Sequence, residues 1–202
     1  MTASRGRGEQ RRSALVEAAT GLLGEAGPTA VTARGVAARA RVPLAAVTYY
    51  FDGVDSLVRE AAERLAAGYL EQAAALVRDA AGREWEETLV RVWFDPSPGG
   101  PHPARVRGTL AQVLAAAAVP SLAASLQRWD AELVREVEHV LRAAGRDVSR
   151  TRVLLAALDG AALARLGGVD VTTGERAVHD SLLRGLVTDL RAVADDLAPA
   201  VP

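Results

Sequence analysis

The stretch that decides the fold is residues 32–57, TARGVAARARVPLAAVTYYFDGVDSL. Thr32 sits where a helix N-cap belongs, and Val36, Ala37 and Ala40 fall on the inner face of the short helix that follows. Arg41-Val42 makes a turn, Pro43 suits the first position of a new helix, and Val47 points inward one turn later. The spacing predicts helix, tight turn, helix. In such a unit the second helix lies in the DNA major groove, while the first crosses the backbone and braces it. Val42 and Val47 supply the inward apolar residues of the groove helix; Leu44, Ala45, Thr48 and Tyr49 supply the outward ones. Tyr49 and Tyr50 then gain a role, because phenol hydroxyls at the end of a groove helix reach phosphate oxygens while the rings shield the contact from water. Phe51 is expected in the core.

The flanking sequence is helical on both sides. Leu15, Ala18, Ala19, Leu22 and Leu23 repeat at three and four and mark a first helix that stops near Gly27-Pro28. Asp52 or Asp55 can cap a longer helix with the stripe Val54, Leu57, Val58, Ala61, Ala62, Leu65, Tyr69, Ala73 and Leu76. Further helices are predicted over 84–94, 104–118, 120–144, 149–166 and 174–197, separated by the loop DPSPGGPHP at 95–103, Gly145 and GGVDVTT. No strand-like alternation and no fixed-period repeat interrupts them. The fold is expected to be all-α.

Composition narrows the class. Half of the 202 residues are apolar, which suits a folded globule, and charges interrupt every candidate membrane span. Met1 to Arg12 is polar and arginine-rich and does not read as a signal peptide, so a cytoplasmic protein is expected. Cysteine is absent, which excludes a disulfide framework and thiolate chemistry. Lys, Asn and Ile are absent as well, so all 24 basic residues are Arg and the choice of Arg at any one site carries little weight. Position carries more: residues 1–51 hold seven Arg against three Glu, giving +4, and with −1 overall the rest carries −5. A basic head on an acidic body is the polarity of a DNA-binding module joined to something else.

The order Thr32, Arg34, Val36-Ala37, Ala40, Val42, Val47, Tyr49-Tyr50-Phe51, then Asp55-Ser56-Leu57, resembles the DNA-binding domain of the tetracycline-repressor-type (TetR) family of bacterial regulators. The resemblance covers about Arg11 to Leu65; beyond it the chain is similar only in layout. It implies a helix-turn-helix domain over 1–51, contacting DNA through Thr32, Arg34, Pro43, Leu44, Ala45, Thr48, Tyr49 and Tyr50. Residues 52–202 are then a connecting helix plus an effector-binding and dimerisation domain. Three departures stand out, one of them Thr48 where a Tyr is common. Arg41 occupies a turn position where the family usually carries Gly, and Val54 replaces the Lys that usually opens the next helix.

The C-terminal part offers two apolar stripes. Leu154, Leu155, Leu158, Ala162 and Leu166 line one; His179, Leu182, Leu183, Leu186, Val187 and Leu190 line the other. Two such helices from each subunit form a four-helix bundle in the resemblance, so a homodimer on a palindromic operator is expected. All three Trp fall between 85 and 129. Trp93, Phe94, Leu110, Leu114, Leu126 and Trp129 are candidates for the wall of an effector pocket, with His102, Arg105, Gln112 and Asp159 as polar points. Few charges among them imply a hydrophobic or aromatic small molecule. The expected partners are therefore double-stranded DNA, such an effector and a second copy of the chain, with no membrane.

An enzyme is not expected, and neither a cofactor nor a metal. Three His, at 102, 139 and 179, are scattered, and the one Glu-x-x-His pair, Glu136 and His139, lacks the second copy a di-iron bundle needs. No phosphate-cradling glycine loop or zinc-protease motif is present. The competing reading is a helical ligand-binding or interaction protein whose DNA binding is weak or lost.

Overall fold

A computed structural model of the chain describes residues 2–80, 82–97, 103–167 and 175–197, with the side chains of residues 2–7, 103–105 and 175–180 outside the description. Among the described residues the regular structure is entirely helical. The order is α1 (Thr2–Ala26), α2 (Ala33–Ala40), α3 (Ala45–Tyr50), α4 (Val54–Arg78), α5 (Trp85–Phe94), α6 (Pro103–Ala117), α7 (Ala123–Ala143), α8 (Thr151–Gly167) and α9 (Glu175–Asp196). Short 3₁₀ turns at Pro28–Ala30 and Pro120–Leu122 join them. No single helix among the described residues is long and apolar enough to cross a membrane.

The chain forms two compact units: one runs to Gly68 and includes Ala111–Trp129, and the other comprises Tyr69–Leu110 and the positions from Asp130 onward. In the first, Leu15, Val16, Ala19 and Leu23 of α1 meet Val36 and Ala37 of α2, Val47 and Phe51 at α3, and Leu57, Val58 and Ala61 of α4. Leu122 closes the cluster, with Ala116 and Val119 packed against it. These residues repeat at three and four along each helix, so burying them fixes which face of each helix turns inward.

Local chemistry sets the boundaries. Gly27, at φ 80°, ends α1, and Pro28 opens the turn beyond it. Thr32 caps α2, its hydroxyl accepting from the Gly35 amide at 3.1 Å; such a cap contributes about 1 kcal/mol. A Cβ at Gly35 would lie 3.0 Å from that hydroxyl, tight enough that the cap would have to give by a few tenths of an ångström. Helix α2 ends in a Schellman motif: the Val42 amide donates to the Ala37 carbonyl at 3.0 Å and the Arg41 amide to that of Ala38 at 3.2 Å. Arg41 itself is left-handed at φ 56°, ψ 43°. That conformation costs a residue with a Cβ about 1 kcal/mol relative to glycine.

In the second unit Leu89, Val90, Val92, Phe94, Leu133, Val137 and Leu141 are buried together with much of α8 and α9. Leu154, Leu155, Leu158, Ala162 and Leu166, and likewise Leu182, Leu186 and Leu190, are buried within the single chain, where α8 packs on α9. Leu183 and Val187 are half-buried, and the side chain of His179 lies outside the described residues. Part of each stripe thus serves the core of the chain itself, and α9 packs on α5 as well as on α8.

Candidate nucleic-acid interface and effector site

Helix α3 is held from behind and free in front. Val47 is buried at 1 % exposure and Phe51, in extended backbone at the helix end, is buried too. Leu44, Ala45, Thr48 and Tyr49 all face solvent, with Tyr49 80 % exposed. Pro43, Thr32 and Arg34 are exposed as well. Tyr50 differs from its neighbour: it is half-buried against the core, its ring edge-on to Tyr49 with centroids 4.9 Å apart. Thr48 turns its hydroxyl back to the Ala45 carbonyl at 3.1 Å.

Two arginines of the basic head brace this unit. Arg12 reaches from α1 to Glu60 of α4 through both guanidinium nitrogens, one at 2.7 Å, and lies 5.0 Å from the Phe51 ring centroid. Arg39 joins α2 to Glu25 of α1 by a bidentate pair at 2.6 and 2.7 Å. That hydrogen bonding draws the Glu25 carboxyl below, and the Arg39 guanidinium above, their ordinary values. Arg34 and Arg41 are exposed and, among the described residues, form neither an ion pair nor a side-chain hydrogen bond. This division of the arginines is not visible in the sequence, because the Glu partners lie 14 and 48 positions away.

The effector candidates divide between the two units. In the second, the Trp93 indole donates to an Asp159 carboxylate oxygen at 2.7 Å. Burial raises the Asp159 pKa, opposed by that hydrogen bond and reinforced by the charge of Asp130. Asp130 is itself paired with Arg152 at 2.9 Å. Tyr69 of α4 donates its hydroxyl to the Trp93 carbonyl at 2.8 Å, and burial, with Asp95 adding, drives its pKa up. Phe94 is buried and Leu110 half-buried. In the first unit Leu126 and Trp129 are half-buried, but Leu114 is 69 % exposed and so does not line an enclosed wall. Gln112 is also spent elsewhere, its amide donating to the Gly24 carbonyl near the end of α1. That carbonyl is one of the orphans every helix end leaves. His102 and the side chain of Arg105 lie outside the described residues.

The second unit also has a cleft of about 280 Å³ that no motif announced, lined by Trp85, Leu141, Arg146, Arg150, Thr151 and Leu154 among others. Arg146 lies over the Trp85 ring at 5.0 Å and 3.6 Å from Asp195, and Arg150 reaches the Leu197 carbonyl at 3.4 Å. Glu136 and His139 are a surface pair 3.7 Å apart on α7. Among the described residues no group of three or more His, Cys, Asp and Glu could hold a metal ion.

Known proteins share both halves of this arrangement. Residues 15–61 match the family of bacterial regulatory proteins, tetR family, and residues 72–189 match the tetracyclin repressor-like C-terminal domain. The crystal structure of multidrug binding protein EbrR complexed with imidazole is 28% identical with a TM-score of 0.60, over 95% of this chain and 97% of that one. The same protein complexed with proflavin is 28% identical with a TM-score of 0.56, over 89% of this chain and 99% of that one. A transcriptional regulator from Rhodococcus sp. Rha1 shares the fold, with 22% identity and a TM-score of 0.63 over 95% of this chain and 99% of that one. No curated protein sequence matches. A helix-turn-helix head followed by a matching C-terminal domain over more than half its length makes this chain a member of the tetracycline-repressor-like family: a DNA-binding transcriptional regulator and not an enzyme.

Proposed function

We propose that the protein is a ligand-responsive repressor that binds a palindromic operator as a homodimer and releases it when a small aromatic molecule occupies the C-terminal domain. The observation that carries the DNA side is the division of α3, with Val47 and Phe51 anchoring it and Leu44, Ala45, Thr48 and Tyr49 left to face a groove. Residues 1–51 are read as the DNA-binding domain and 52–202 as the effector and dimerisation domain. Leu44 and Ala45 have no side-chain hydrogen-bonding groups, so base reading falls to thymine methyls, Thr48 and DNA shape.

For the effector, Trp93 and Asp159 are the favoured contacts: an indole beside a half-buried carboxylate whose donor, among the described residues, is that indole. A flat aromatic molecule bearing positive charge satisfies both, stacking on the ring and neutralising the acid. The EbrR complexes with proflavin, malachite green and ethidium support this choice. For dimerisation, the outward face of α8 is favoured. Val153 and Leu163 are 55 % and 57 % exposed, and Ala156, Gly160 and Ala164 lie exposed beside them. Small residues between two large apolar ones let a second helix approach closely.

The test is selection of bound fragments from genomic DNA, followed by titration of the chosen fragment with proflavin while operator release and tryptophan fluorescence are recorded together. A recurrent inverted repeat released by ligand is the expected result. Failure to enrich any sequence favours the interaction-protein reading instead.

A further inference from the structure

Among the described residues four glycines take positive φ, at 27, 53, 82 and 145, and Arg41 is the one other residue that does. The backbone reason for a left-handed residue at this point is plain, since the Schellman bonds of Val42 and Arg41 close α2 there. They account for the conformation but not for the side chain, because glycine would satisfy the same bonds without strain. The Arg41 side chain does not repay the strain inside the fold. It is exposed and, among the described residues, has no ion pair or hydrogen bond, whereas Arg12 and Arg39 are tied to Glu60 and Glu25. An arginine-only composition explains why a cation here is Arg rather than Lys; it does not explain a cation at a strained turn. Strain kept at an exposed, unpartnered side chain points to function outside the chain.

Arg41 also stands in the right place. It lies two residues before Pro43 and three before Leu44, which lead into α3, so its long side chain starts within reach of whatever α3 approaches. We propose that the Arg41 guanidinium binds a phosphate of the DNA backbone beside the groove that α3 enters, supplying a backbone cation that Val54, at the start of α4, does not. The proposal rests on the DNA-binding reading above. Phosphate contacts fix register and orientation and carry no sequence information, so Arg41 positions α3 without selecting bases.

The experiment compares wild type, Arg41→Gly and Arg41→Lys on the selected DNA fragment over a range of salt, with thermal melting in parallel. Arg41→Gly is expected to melt no lower than wild type, to bind roughly ten-fold more weakly at low salt, and to lose about one unit from the slope of log affinity against log salt. Arg41→Lys is expected to keep most of the slope, and the loss for glycine should be equal on operator and on unrelated DNA. A glycine variant with unchanged affinity and slope, while Tyr49→Ala weakens binding, overturns the role of Arg41 and leaves the DNA-binding reading standing. A wild type that binds no DNA overturns both.

Discussion

Trp93 and Asp159, 66 positions apart, are joined by a 2.7 Å hydrogen bond from the indole N–H to the carboxylate, tying α5 to α8 inside the second unit. The acid is half-buried, and desolvation outweighs this one donor, so its pKa stands above the ordinary value of 3.8. The folded chain therefore holds the Asp159 proton more tightly than the unfolded chain does. The stability associated with that proton is fully present below the ordinary carboxylate value and declines as pH rises through the raised one.

Asp159→Asn keeps a carbonyl oxygen for the indole and removes the charge. Its melting temperature at pH 7 is expected to equal or exceed that of wild type, with a flatter dependence on pH above about 4. The same change should weaken binding of proflavin, read by tryptophan fluorescence. A variant that melts several degrees lower at pH 7 would show that the charged form is the stabilising one.

Val47 and Tyr49, two residues apart on α3, should separate stability from DNA affinity. Val47→Ala opens a void in a closed core and is expected to cost about 2 kcal/mol in urea unfolding. Tyr49→Ala should leave the unfolding curve within about 0.5 kcal/mol of wild type, as for an exposed site, and weaken operator binding. Equal losses of stability for both would mean that Tyr49 packs rather than projects.

Thr32→Ala removes the cap of α2 and is expected to cost about 1 kcal/mol, while Thr32→Ser should recover most of it. Chemical unfolding of the three proteins decides this.

Arg12→Ala removes the Arg12 contacts to the Phe51 ring and to Glu60. An exposed ion pair and an exposed cation–π contact together contribute about 1 kcal/mol. Half-molar salt should shrink the Glu60 share, so the gap between Arg12→Ala and wild type narrows as salt rises. A gap independent of salt would assign the whole effect to the Phe51 ring.

Leu163→Arg places a charge on the outward face of α8, where Leu163 is more than half exposed. Light scattering is expected to report a folded monomer. Leu186→Arg, at a position fully buried within the chain, should instead lower stability by several kcal/mol, since it buries an unpaired charge. A soluble dimer from Leu163→Arg would move the interface elsewhere.

Helix content and most boundaries were legible because local signals set them: Thr32, Gly27-Pro28 and Gly145 each end or begin an element where the pattern places them, while Pro43 stands two residues before α3 rather than at its first position. The outward face of α3 was legible for the same reason, since Val47 and Phe51 fix its phase. Contacts over long separations were not. Nothing in the periodicity of Leu154 to Leu166 tells an intramolecular neighbour from a second subunit, and nothing near Gln112 says that Gly24 needs a donor. Arg12 and Arg39 looked like free charge because their glutamates approach only after the helices pack.

Trp93 faces two ways: its indole holds Asp159, and its carbonyl holds the hydroxyl of Tyr69 on α4. Helix α4 then runs without interruption back to Val54, 25 residues from end to end and about 37 Å long. Tyr69 thus meets the residue that holds the acid through its carbonyl and, at 3.4 Å, through the carbonyl of Val92 as well. Phenylalanine at that position would take away these carbonyl contacts and leave the Trp93–Asp159 hydrogen bond in place, so what holds the backbone of α5 and what holds its indole can be cut one at a time.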